Sequence, residues 1–530
     1  MKPTLVTIFI SALCVNVVGQ NLKSGGKLKP EQALMDIRHY TIDINVDIEQ
    51  QRIDGTAEID LITSRTTSVL LFDLVHLMKV DRVWVNGRKE AIEHKDDLVY
   101  INLKSPLKAG RAKVKFQYGG KPGIAERPPW EGGFTWTSDE AGNPWVAVTC
   151  WGEGANIYFP CKDHPSDEPN EGATLIVTVP ENLYVAGPGL LKRNKVSKGK
   201  RTFTWETNYT INNYSIVFNI GRYKVATRTY TTVDGNKVPM QVYLLEQDFD
   251  KAEELLDIFE KSVGCHEKYF GEYPWVKEKM AVCQTPHLGM EHQSLNAYGN
   301  KFNFSMIADT RFDWLLHHEF GHEWWANKVT NIDWADMWIQ EGICTFGDAL
   351  FRLEYAGERM YLQHMQQVAI NIQNKLPVVM GKDLDVDTIY HSDIYGKGAF
   401  FMHTLKFVIG DEKFFPILKK LATDPAYTYD NLVCTEDVEK LFSKESGQDL
   451  KPLFDLFLRT TEKLEIHVSL TKVDEYELKL LNLSRSLPLE VQTSDGVERI
   501  EIGPKPVTFR TKEQPIIDPN VYYFKKVIVE

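Results

Sequence analysis

His318 and His322 stand four residues apart in the stretch DWLLHHEFGHEWWANKV, with Glu319 directly after the first of them. On an α-helix, residues i and i+4 share a face, so both imidazoles can be offered to one ion. Glu319 sits beside that face, within reach of a water on the metal. Zinc is the expected ion: it brings the pKa of a bound water towards neutrality, and a neighbouring carboxylate can then take the proton. Phe312, Trp314, Leu315, Leu316, Phe320, Trp324 and Trp325 are apolar and predict a buried helix running through them. Uncompensated His and Glu side chains inside such a helix would be costly.

A third ligand stands where one is needed. The segment WIQEG places Glu341 nineteen residues after His322, enough chain for a turn and a second helix to return a carboxylate to the ion. Three protein ligands leave one position for water, the pattern of a catalytic rather than a structural zinc site. Trp325 occupies the place of the glycine expected in a metzincin, and no third His follows. Asp336 and Asp348 flank Glu341 and are candidates to orient the imidazoles, or equally plain helix-surface carboxylates. His317 points off the ligand face and is not counted as a ligand.

The elements around this motif change character along the chain. From Tyr40, short runs such as YTIDINVDI, GTAEIDLIT, SVLLFDL, RVWVNG, LVYINL and AKVKFQY alternate apolar and polar residues, and ATLIVTVP, YSIVFNIG and RYKVATRTYT continue the pattern. Alternation buries one face of each strand, so residues 31–225 read as an N-terminal β domain of sandwich type. FDKAEELLDIFEKSVGCHEKYFG then carries the three- and four-residue spacing of an amphipathic helix, followed by a strand-like KMAVCQTP and further helices. Residues 226–460 are thus a mixed catalytic domain. Alternating strands return from Lys463, which makes 461–530 a small C-terminal β domain. The leader NLKSGGKLKP has no apolar period. The fold class is multidomain α+β.

Composition narrows the partners. The 530 residues carry a net charge of −12, which argues against nucleic acid, whose phosphates call for clustered Lys and Arg. MKPTLVTIFISALCVNVVGQ has a Lys at position 2, a short apolar run and small residues near Gly19, the pattern of a signal peptide over 1–19 and of an exported, secreted or periplasmic, protein. No later run predicts a membrane span in the mature chain. Beyond Cys14, the cysteines at 150, 161, 265, 283, 344 and 434 form no CxxC pair; Cys150 and Cys161 could bridge, though buried free thiols are the plainer reading.

Several separated motifs together resemble the aminopeptidase N and leukotriene hydrolase family of zinc peptidases, the gluzincins. They are FPCKDHPSDEP (159–169), LGMEH (288–292), the HExxH stretch with WIQEG, and IYGKG (394–398). The resemblance implies a saddle-like N-terminal β domain, a thermolysin-like catalytic domain with one zinc ion, and a β-sandwich after it. It also implies a short form lacking the helical C-terminal domain of larger relatives, with a more open cleft. Glu291, with Gly289 and Met290 before it, matches the carboxylate that holds the substrate's free amino group. Tyr395 matches the tyrosine that donates a hydrogen bond to the tetrahedral oxyanion.

Two positions depart from that pattern. His292 replaces the family's Asn, and Trp151 stands where relatives carry Gln or Glu as a second contact to the amino terminus; Glu153, two residues on, could substitute. Asp387 and Tyr390 align with residues that leukotriene hydrolases use on an epoxide. The expected activity is removal of amino-terminal residues from peptides. The alternatives are a less end-selective metallopeptidase, an epoxide hydrolase with peptidase activity, and a non-catalytic zinc- or peptide-binding protein.

Overall fold

The computed structural model describes residues 23–530 of the protein, so the expected signal segment 1–19 lies outside the described residues. Alternating burial, as in Met35–Asp47, folds the first part into β-sheets with one face inward. A ten-stranded sheet has Met35–Asp47 near its centre, antiparallel to Arg52–Thr63 and parallel to Ala173–Pro180. A second, four-stranded sheet contains Gly133–Ser138, Pro144–Thr149, Tyr184–Ala186 and Asn219–Gly221. YSIVFNIG thus contributes a strand only at its end, after a 3-10 turn at Asn213–Ser215.

The next sheet belongs to the catalytic part. It runs in the order Tyr223–Thr231, Lys237–Leu245, Met280–Gln284, Asn296–Tyr298, Gly289–Met290. RYKVATRTYT, grouped with the first β domain in the sequence, therefore forms the edge strand of this sheet, and the expected boundary at 225 falls inside that strand. Its pairing with Lys237–Leu245 over nine residue pairs decides the matter, a non-local preference that alternation alone does not express. The opposite edge, Gly289–Met290, faces the zinc motif.

Helices α1 (Ala252–Phe270), α2 (Trp314–Gly321), α3 (Trp338–Asn371), α4 (Val386–Ile389), α5 (Asp393–Ile409), α6 (Asp411–Thr423), α7 (Thr435–Ser446) and α8 (Lys451–Leu458) complete this part. Helix α2 starts where Asp313 accepts the backbone N–H groups of Leu315 and Leu316. It is shorter than the apolar run predicted. Phe312 ends a strand before it, Trp314 is 46% exposed, and Trp324 and Trp325 follow the helix in a turn. The chain bends at Ala326, whose φ is +141°, and this frees the Trp325 carbonyl from helical bonding.

Helices α3 and α5 cross on bare glycines. A Cβ on Gly342 would lie 2.9 Å from the Gly398 Cα and 3.0 Å from the Ile394 carbonyl oxygen. This contact puts Glu341, beside Gly342, next to Tyr395, three residues before Gly398. The C-terminal strands form a four-stranded and a three-stranded sheet that close on α5, where Phe407 stacks on Tyr522 at 3.8 Å. The six cysteines of the described residues are free thiols. Among the described residues, no helix is long and apolar enough to cross a membrane.

The glycine crossing makes a direct prediction. Gly342→Ala should lower stability by about 1–3 kcal/mol through overpacking, seen as a lower Tm. Since Gly398→Ala strains the same contact, the double variant should lose less than the sum of the two single losses.

Candidate active site

Helix α2 presents His318 and, at its C-cap, His322, and the first turn of α3 presents Glu341. The two Nε2 atoms are 3.3 Å apart, and Glu341 Oε2 lies 3.6 Å from His318 Nε2 and 3.3 Å from His322 Nε2. Tetrahedral zinc with ligands at 2.0–2.2 Å requires ligand atoms about 3.3–3.6 Å apart. Glu341 Oε2 is buried and, among the described residues, meets no hydrogen-bond donor of good geometry, only the two imidazole nitrogens. The donor set and its spacing fit one zinc ion.

The outer nitrogens are held so that both Nε2 atoms face inward. His318 Nδ1 is 3.1 Å from Asp348 Oδ2, and His322 Nδ1 donates to the Trp325 carbonyl at 2.7 Å. The early end of α2 supplies that carbonyl. Of the two flanking carboxylates, Asp348 therefore orients an imidazole. Asp336 instead accepts the N–H and hydroxyl of Thr435 at the start of α7. His317 turns away, stacked on His266 at 4.0 Å. Cys344 also comes within 4.8 Å of both ligand imidazoles, but its thiol donates to the His318 carbonyl.

Glu319, Glu291 and His322 offer atoms that all lie within 4.8 Å of one another. Desolvation pushes the Glu319 carboxyl up to about 8; His318 and His322 pull it down, while Glu291 and Glu341 add to the rise. Such a group is suited to taking a proton and giving it back. Gly289 lies close against it: a Cβ there would fall 2.4 Å from Glu319 Oε1, so a side chain would displace the carboxylate. Met290 follows on the same edge strand and leads into Glu291. Glu291 is 3% exposed; burial raises its pKa, and its Oε1 accepts a 3.0 Å hydrogen bond from Tyr214 of the β domain. Asn327 Nδ2 donates to its backbone carbonyl at 2.8 Å.

Tyr395 donates to Glu341 Oε1 at 2.9 Å, and the Tyr390 hydroxyl is 3.2 Å from that of Tyr395. Trp151 packs between Trp334 and Tyr390, with ring centroids at 5.4 and 5.6 Å. Glu153 Oε2 lies against the Gly132 backbone, and burial pushes its carboxyl up to about 7. His292 is buried, and its ring nitrogens meet no hydrogen-bond partner among the described residues. Asp387 pairs with Lys23 at 3.3 Å. Sequence reasoning missed Tyr214 and Trp334. Tyr214 lies 77 residues before Glu291 in another domain, and no local spacing marks it.

Residues 248–457 match the Peptidase family M1 domain, and residues 37–214 match the Peptidase M1 N-terminal domain. The chain belongs to the M1 peptidase family. Aminopeptidase M1-B of Oryza sativa subsp. japonica is 24% identical over 469 residues, spanning 83% of this chain and 51% of the relative. Leucyl aminopeptidase of Saccharolobus solfataricus is 23% identical over 456 residues, spanning 79% and 53%. The M1 chain thus spans about half the length of these curated relatives. In fold it is similar to a mutant M1 zinc metallopeptidase from Deinococcus radiodurans bound to a Tyr-Ser-Ala substrate. The TM-score is 0.66 at 21% identity, covering 82% of this chain and 95% of that one.

The contrast between the two aspartates is testable in the M1 site. Asp348→Ala should weaken zinc binding about 10- to 100-fold in competition with a chelator. Asp336→Ala should leave zinc affinity unchanged and lower Tm, because it frees the start of α7.

Proposed function

We propose that this chain is a zinc aminopeptidase that removes amino-terminal residues from peptides. One observation carries the reading: the Glu291 carboxylate lies within 4.8 Å of both the Glu319 carboxylate and His322. Consecutive Cα atoms are about 3.8 Å apart, so a substrate ammonium paired with Glu291 leaves room for a single residue before the scissile carbonyl. A carboxylate at that distance measures one residue from the chain end.

His318, His322 and Glu341 would hold the zinc ion, which would supply a Lewis acid and an acidified water. Glu319 takes the proton of the attacking water and later passes it to the leaving amine. Tyr395 gives up its bond to Glu341 and donates to the developing oxyanion, a contact worth about 3 kcal/mol in such sites. Tyr214 orients Glu291, and the edge strand at Gly289–Met290 offers backbone groups to an extended substrate. The pairing of Asp387 with Lys23 gives the epoxide-hydrolase alternative no support. The signal-like pattern of residues 1–19 supports export of the protein; mass spectrometry of secreted material should then find an amino terminus near Gln20.

A panel of aminoacyl chromogenic substrates tests the activity. Hydrolysis should stop with a chelator and return with zinc, and Glu319→Gln should lower kcat by about 10²–10⁴ with zinc retained. Peptides with a free amino terminus should be cleaved and their N-acetylated forms should not. Equal cleavage of both would reject the anchor role of Glu291, and full activity of the Glu319→Gln protein would reject the mechanism.

A further inference from the structure

Lys23–Gly26, part of a leader that shows no apolar period in the sequence, is bound into the cleft wall. The Ser24 N–H donates to the Gly152 carbonyl at 2.9 Å, and the Ser24 carbonyl accepts from the Val386 N–H at 3.1 Å. The Gly26 N–H donates to the Leu384 carbonyl at 3.2 Å, and Gly25 forms an antiparallel bridge with Asp385. Trp334 Nε1 donates to Ser24 Oγ at 3.2 Å, and His164 Nε2 meets the Gly26 carbonyl at 2.9 Å. Ser24 is 4% exposed. A segment that satisfies this many buried groups is a fixed part of the fold.

Gly25 also has to be glycine. Its φ is +87°, and a Cβ there would fall 2.2 Å from Trp334 Cδ1. The segment therefore lies flat against the indole that packs on Trp151, and Trp151 in turn packs on Tyr390.

What the segment ties down is the approach to the two tyrosines. Between the end of α3 at Asn371 and the start of α4 at Val386 the chain is irregular. Asp385 caps α4 through Thr388, and the Tyr390 N–H donates to the Val386 carbonyl at 3.0 Å. Tyr390 then meets the Tyr395 hydroxyl, and Tyr395 meets Glu341. The Leu384–Val386 turn is thus one of the points at which the approach to the tyrosine pair is fixed from outside, alongside the packing of Tyr390 on Trp151. The Lys23 ion pairs with Asp385 and Asp387 are partly exposed and add little.

We propose that Lys23–Gly26 is a positioning strap that ties the Leu384–Val386 turn to the β domain and so sets Tyr390 and Tyr395 against the zinc site. This rests on the reading of Tyr395 as the oxyanion donor. Ser24 and Gly25 are positioning residues: they touch no reacting atom and act through α4 and Trp334. A displacement of order 1 Å at Tyr395 is enough to slow the chemical step while leaving the Glu291 anchor in place.

The test is a double-mutant cycle in the full-length protein. Gly25→Val should lower kcat about tenfold with KM changed by less than about twofold. In a Tyr395→Phe background, the same substitution should change kcat by less than about twofold, because its target is already gone. Hydrogen exchange of peptides covering residues 384–390 should accelerate in the variant, a readout that does not depend on activity. An equal fractional loss of kcat in both backgrounds, a change in KM alone, or unchanged exchange would overturn the strap. Should Gly25→Val fail to fold, Gly25→Ala, which meets the same φ and the same Trp334 contact with a smaller side chain, is put through the same cycle, and wild-type kcat there would overturn it as well. An inactive wild-type protein would refute the aminopeptidase reading instead, and the exchange measurement would still decide whether the strap holds the turn.

Discussion

A carboxylate oxygen buried without a donor is among the least tolerable groups in a protein interior, and Glu341 Oε2 is one. A cation answers it, and the two imidazole nitrogens at 3.3 and 3.6 Å are spaced to share that cation. Much of the surrounding structure gives up local preference to meet this demand. Helix α2 stops at Gly321 although apolar residues continue, and the stop releases the Trp325 carbonyl to His322. Helices α3 and α5 meet at two glycines, residues that weaken helices, and the approach brings Tyr395 to the other oxygen of Glu341. Asp348, two turns along α3, fixes the remaining imidazole.

On the aminopeptidase reading, the reacting centre is local to the catalytic part, but the groups that would define which end of a substrate it meets are not. Tyr214 and Trp151 come from the N-terminal β domain, and one holds Glu291 while the other packs on Trp334 and Tyr390. Starting at Glu291, neighbouring side chains run through Tyr214, Trp334, Trp151, Tyr390 and Tyr395 to Glu341. Loosening either domain from the other would therefore disturb the anchor and the oxyanion donor together, while the His318–His322 pair, set within one helix, would persist.

That division explains what was legible in the sequence. His318, Glu319 and His322 are fixed by helical period, a property of adjacent residues, and Glu341 by the length of chain needed to return. The alternation of strands announced three β and mixed regions because burial of one face is written into each strand. The termination of α2, the membership of Tyr223–Thr231 in the catalytic sheet, and the turning of Glu153 to Gly132 depend on partners distant in sequence. Gly342 and Gly398 are visible as residues, yet their purpose appears only when two helices are brought together. The segment around Gly25 was the least legible, because its order comes from groups distant in sequence: backbone on Gly152, Leu384 and Val386, and the side chains of His164 and Trp334.

The zinc aminopeptidase reading also accounts for the balance of charge in the cleft. Glu291, Glu319 and Glu341 lie close enough that each acts on the ionisation of the others. With zinc bound and all three carboxylates ionised, one negative charge would be left over, and it would call for one more positive charge. A substrate ammonium supplies it, so the complex with a free amino terminus is neutral, whereas a blocked peptide would leave a buried negative charge at a cost of several kcal/mol. Selectivity then belongs to the whole charge set rather than to Glu291 alone.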